Sequence, residues 1–118
     1  MRTLDSVMAE LRARHDLSGG IYLKIDTQGY DLEVIRGATE SLPHIAAVQT
    51  ELASQRLYQG MPSYIEVLNA LDARGFHLSG VFPVSQDTLL RIIECDAVML
   101  NGARIDVRDV HLMHTGDV

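Results

Sequence analysis

The chain has 118 residues, 47% hydrophobic and 22% charged, a composition that folds as one globular domain rather than staying disordered. Sixteen acidic residues against ten basic ones give a formal net charge of -6, which argues against a nucleic-acid partner, because that affinity rests on clustered Lys and Arg. Cys95 is the single cysteine, so an intrachain disulfide and a cysteine-based metal knuckle are both excluded.

The amino terminus, MRTLDSVMAE, carries Arg2, Asp5 and Glu10 and has no apolar centre, so it does not read as a secretory signal. No apolar run reaches transmembrane length, and a cytoplasmic location without a membrane partner is expected. Leu4, Val7, Met8 and Leu11 recur at helical spacing behind Thr3 as N-cap, which predicts an amphipathic helix ending before Ser18-Gly19-Gly20. Ile21 to Asp26 reads as a buried strand that stops at an acid. After Gly29, the spacing of Leu32, Ile35, Ala38 and Leu42 predicts a second helix that Pro43 ends.

Ile45 to Leu52 is a second strand, with Val48, Thr50 and Leu52 on one face and Gln49 and Glu51 on the other. Ala53 to Met61 is polar and reads as a loop. Ser63 and Glu66 form a capping box for a third helix whose buried stripe is expected at Ile65, Leu68 and Leu71, with Gly75 closing it. From Phe76 the period changes to two. A turn around Ser85-Gln86-Asp87 then joins this strand to Ile92 to Leu100, an antiparallel hairpin with Ile93, Cys95, Ala97 and Met99 on one face. Residues 1–101 form the domain, and 102–118 form a tail expected to fray.

Strand, helix and strand in succession make a βαβ unit with parallel strands, which puts Asp26 and Glu51 on the same rim. Ligands of open α/β sheets bind beyond the carboxyl ends of the strands. A carboxylate there can accept a proton, hold a hydroxyl or bind a metal, and it can equally cap the next turn. Arg56, Tyr58 and Gln59 are the side chains that the following loop could offer to a ligand. Lys24 either pairs with Asp26 or Glu51 or extends its stem to water.

Asp26-Thr27-Gln28-Gly29 matches the DxxG turn of nucleotide-binding proteins, but no phosphate-cradling GxxxxGK[ST] run precedes it, so that reading is set aside. His111 and His114 lie among too few further ligands for zinc, and no metal is expected.

LKIDTQGYDLEVIRGA (23–38), with TLDSV (3–7), VQTEL (48–52), LYQGMP (57–62), RGF (74–76) and ECDAVML (94–100), resembles the FkbM-type methyltransferases. Position 28 is Gln where Glu is also common in that family, and position 31 is Asp in place of Glu. The resemblance implies a partial Rossmann-like methyltransferase sheet of the α/β class, a parallel βαβ unit plus a C-terminal antiparallel hairpin, flanked by helices. It also implies O-methyl transfer from S-adenosylmethionine to a hydroxyl of a sugar, glycan or secondary metabolite, the acceptor being a small molecule or a glycan. Asp26 would orient or deprotonate that hydroxyl, and Glu51, Arg56, Tyr58 and Gln59 would face the acceptor. On that reading the chain holds the fourth to seventh strands, and the Gly-rich cofactor loop lies before Met1. The edge of the Ile21 to Asp26 strand is then left open for self-association, in a chain expected to be inactive alone.

Overall fold

The computed structural model describes residues 2–17, 20–27, 30–54 and 61–104. Helix α1 spans Leu4–Arg14, capped by Thr3, whose Oγ1 accepts from the Ser6 amide at 3.2 Å. Of its apolar positions Met8 is buried, whereas Leu11 is exposed. Arg12 and Arg14 face solvent in its last turn, where cations complement the helix dipole.

Strand β1 is Tyr22–Ile25, shorter at each end than the sequence suggests. Helix α2 is only Asp31–Arg36, not the longer helix that the apolar spacing predicts. The cause lies outside the helix. The Asp5 amide donates to the Gly37 carbonyl at 3.1 Å, and the Asp5 carboxylate accepts from the amides of Glu40 (3.1 Å) and Ser41 (2.8 Å) and from Ser41 Oγ. These bonds draw Gly37 to Ser41 off the helical path into turns. Ala38 and Leu42 stay buried, and Leu42–His44 forms a single 3₁₀ turn. A Cβ on Gly37 would lie 3.3 Å from Thr3 Cβ, so the missing side chain permits the close approach of the two segments.

Strand β2 is Ala47–Ala53 and helix α3 is Tyr64–Asp72. Both halves of the predicted capping box are present: Ser63 Oγ accepts from Glu66 N, and the Glu66 carboxylate accepts from Ser63 N. The expected stripe is displaced, since Val67 and Leu71 are buried while Ile65 is exposed. The helix ends at Asp72, and Gly75, with φ +85, turns the chain into strand β3, Phe76–Gln86. The turn comes later than predicted, at Asp87 to Arg91, before β4, Ile92–Asn101.

The four-stranded sheet has the order β1-β2-β4-β3. β1 and β2 are parallel, with Ile25 opposite Thr50, and the remaining pairings are antiparallel. This mixed α/β architecture is compatible with a partial Rossmann-like methyltransferase fold. One face of the sheet is covered. There Ile25, Val48, Leu52, Ala97 and Met99 pack with Ile35, Leu42, Val67, Leu71 and Phe76 in a single core. The half-buried Cys95 joins it as a small apolar side chain, and burial, then the neighbouring Asp96, raises its thiol pKa, as expected of an inert cysteine. Asn101 closes the core at its lower end: its side-chain amide donates to the Ile45 carbonyl at 2.9 Å while its Oδ1 accepts from Ala103 N at 3.0 Å. Among the described residues no helix is long and apolar enough to cross a membrane.

Candidate active-site rim

Two parallel strands in register carry their following residues to the same edge. Ile25 pairs with Thr50, so one step further Asp26 leaves β1 beside Glu51 of β2. Asp26 is exposed and Glu51 is half-buried. Both belong to the face of the sheet opposite the core, because the buried residues alternate with them.

On the far side of Glu51 lies a carboxylate that local pattern does not reveal. β4 inserts between β2 and β3, which sets Asp96 directly opposite Glu51 and Glu94 opposite Ala53. Burial raises the Glu51 pKa, and the negative charges of Glu94, Asp26, Asp96 and Asp31 push it the same way. Lys24, which could have relieved this charge, is exposed and forms no ion pair with another described residue.

The folded state therefore keeps the Glu51 proton to higher pH than the unfolded chain does. Its contribution is complete below the unfolded value near 4.5 and is lost as pH rises through the raised folded value. Glu51→Gln is expected to be more stable than the parent at pH 7 by roughly 0.5–1 kcal/mol, the scale of one like-charge contact across strands. The difference should vanish near pH 4, and urea midpoints at the two pH values measure it.

Beside Asp26 and Glu51 sits a buried acid. Asp31, at the start of α2, is 3% exposed. Its carboxyl accepts from Thr27 Oγ1 at 2.5 Å through one oxygen and from the fully buried Thr50 Oγ1 through the other. Asp31 thus ties the turn after β1 to the middle of β2. Asp26 precedes Thr27, and among the described residues its side chain caps nothing. Thr27 and Tyr30 also border a cleft of about 780 Å³ between the start of α1 and α2, whose walls include Leu4, Val7 and Val34. The exposed pairs Arg2–Glu10 (2.8 Å) and Arg36–Glu33 (3.0 Å) flank it. Arg56, Tyr58 and Gln59 lie outside the described residues.

A short parallel βαβ unit thus carries an acid directly after its first strand, and a hairpin runs antiparallel beside its second. The model of the methyltransferase FkbM domain matches residues 1–78. The chain belongs to the FkbM methyltransferase family. The match runs from α1 into the start of β3 and so contains Asp26, Asp31 and Glu51, whereas Asp96 lies beyond it. No curated protein and no solved structure matches the chain. Membership of this family points to methyl transfer as the activity.

Proposed function

We propose that this chain supplies the acceptor side of an O-methyltransferase, with Asp26 as the group that orients the acceptor hydroxyl and takes its proton. The observation that supports this reading is the pairing of an exposed Asp26 with a half-buried Glu51 at the carboxyl ends of two parallel strands. A positioned general base is worth about 10²–10⁴ in rate. Glu51 would face the acceptor from β2, and Arg56, Tyr58 and Gln59 would complete that wall. The acceptor class is a hydroxyl of a sugar, glycan or secondary metabolite, carried on a small molecule or a glycan chain.

S-adenosylmethionine would supply the methyl group. The cavity between Asp31, Glu51 and Met61 is about 20 Å³, too small for a group of that size. On this reading Asp31, Glu51 and Met61 form one wall of its site. The isolated chain is therefore expected to bind S-adenosylmethionine weakly. Calorimetry should give no saturable heat at micromolar ligand, and millimolar S-adenosylhomocysteine should shift amide resonances of Asp26, Thr27, Asp31 and Glu51 above all others. Low-micromolar affinity would contradict the assignment of only one wall, and shifts confined to the opposite ends of the strands would contradict the placing of the site.

A second reading rests on the edge of the sheet. Among the described residues β1 has β2 as its one strand neighbour, so its other edge could take a further strand. Addition of a strand there would extend the rim on the side of Asp26 and complete the missing wall.

A further inference from the structure

The end of the sheet away from Asp26 and Glu51 gathers the opposite charge. Ile21 leads into β1 there, and the 3₁₀ turn Leu42–His44 leads toward β2. β4, antiparallel to β2, finishes at the same end with the turn Gly102–Arg104. α1 brings Arg12 in its last turn and His15 as its C-cap. β2 runs seven residues, about 23 Å at strand spacing, between the two ends, so a small molecule bound at one does not touch the other.

These segments border a cavity of about 570 Å³. Arg12, His15, His44 and Arg104 line it, and Asp16 is the one acid among its lining residues, in a chain of net charge -6. Leu17 and Ile21, both half-buried, add an apolar wall. The convergence is held by a buried side chain. Asn101, 3% exposed, donates through its amide to the carbonyls of Leu42 (3.4 Å), Pro43 (3.4 Å) and Ile45 (2.9 Å), and its Oδ1 accepts from Ala103 N at 3.0 Å. It thereby fixes the turn that carries His44 against the turn that carries Arg104. The Ile21 carbonyl accepts from Ala46 N at 2.8 Å, which ties the apolar wall to the same place.

We infer that this cavity binds a small organic phosphate, its phosphate group held by Arg12, Arg104 and the two imidazoles and its carbon part laid on Leu17 and Ile21. The planar guanidinium fork matches phosphate oxygens two at a time, and imidazole N–H groups donate to the same oxygens. Two guanidiniums against one carboxylate leave the lining positive even with both imidazoles neutral. The volume lies within the roughly 300–1,000 Å³ of small-molecule sites. A nucleic acid fits worse. An extended polyanion would also meet the acidic remainder of the chain, whereas a compact one is screened from charges beyond about 8–10 Å. A bare inorganic anion would leave the apolar wall unused.

NMR titration of the full chain tests this. Millimolar phenyl phosphate should shift the imidazole signals of His15 and His44 and the methyl signals of Leu17 and Ile21 to saturation, while the amides of Asp26 and Glu51 stay in place. Phenol should shift none of them, and inorganic phosphate should bind severalfold more weakly, since only the ring buries apolar surface. Arg12→Gln and Arg104→Gln should each weaken phenyl phosphate binding about tenfold or more, the least that a hydrogen bond to a charged group is worth. Arg14→Gln removes the same charge from the same helix turn, but Arg14 does not line the cavity, so the change in affinity should stay below about twofold. All three side chains are exposed, so the variants should fold as the parent does, which circular dichroism checks. Shifts that never saturate overturn the proposal, as does an affinity that neither Arg12→Gln nor Arg104→Gln changes. Equal affinity for inorganic phosphate also overturns it, because the cavity would then take an adventitious ion only.

Discussion

Replacement of Phe76 by alanine is expected to cost about 3–5 kcal/mol, the range for removing a fully buried aromatic side chain. Phe76 is 0% exposed and is the largest wholly buried side chain among the described residues. It sits at the first position of β3, directly after Gly75 turns the chain out of α3, and it packs in the same cluster as Val67 and Leu71 of that helix and Met99 of β4. It therefore joins the hairpin to the helical layer, and little else on β3 does so, since the rest of the strand is exposed or half-buried. Domains of this size are stable by about 5–15 kcal/mol, so the loss takes a large share of the total. Urea titration followed by far-ultraviolet circular dichroism would measure the loss. A cost below about 1 kcal/mol would show that the hairpin is not anchored at this point.

The local elements were legible where their determinants are local. Ser63 and Glu66 are three residues apart, and their reciprocal cap is read directly from sequence; the same holds for Thr3 at the start of α1 and for the alternation of Val48, Thr50 and Leu52. What escaped is fixed by distant partners. α2 stops early because Asp5, more than thirty residues upstream, takes the turn that the apolar spacing would have given to a helix. Ile65 fits the helical period as well as Val67 does, but the rotation of α3 against the sheet buries only the second. Alternation along β3 fails at the bulge between Leu78 and Gly80. The rim was half legible. Asp26 and Glu51 follow from strand, helix and strand in order, whereas Asp96 reaches Glu51 only because β4 enters between β2 and β3, a matter of topology rather than of local pattern. Asp31 looked like one more polar residue at a helix start. Its burial depends on Thr50, nineteen residues away, which reads as an inward-facing β-branched residue and discloses its hydroxyl's partner only in three dimensions.

That hidden pair gives the second large effect. Asp31→Ala is expected to destabilise the chain by about 2–3 kcal/mol, because it leaves the buried Thr50 hydroxyl without its acceptor and opens a space beneath the rim. Thr50→Val alone should cost less, about 1–2 kcal/mol, since Asp31 keeps its bond from Thr27. If the two side chains act as a unit, the double variant will fall short of the summed losses by about 1 kcal/mol or more, as for residues in direct contact. Strict additivity would mean that each side chain is held by something else. The functional consequence is separable from the stability one. Asp31 fixes Thr27, and Thr27 is joined by one peptide bond to Asp26, so loss of Asp31 should speed amide exchange at Thr27 more than in β2 or α3. An Asp26 whose backbone is released in this way cannot be held against a hydroxyl, because an acid–base partner must stay within hydrogen-bond reach of the atom it serves. If Asp26 is the base proposed above, the buried acid would position the exposed one, and the rim would need Asp31 for its shape as much as Asp26 for its chemistry.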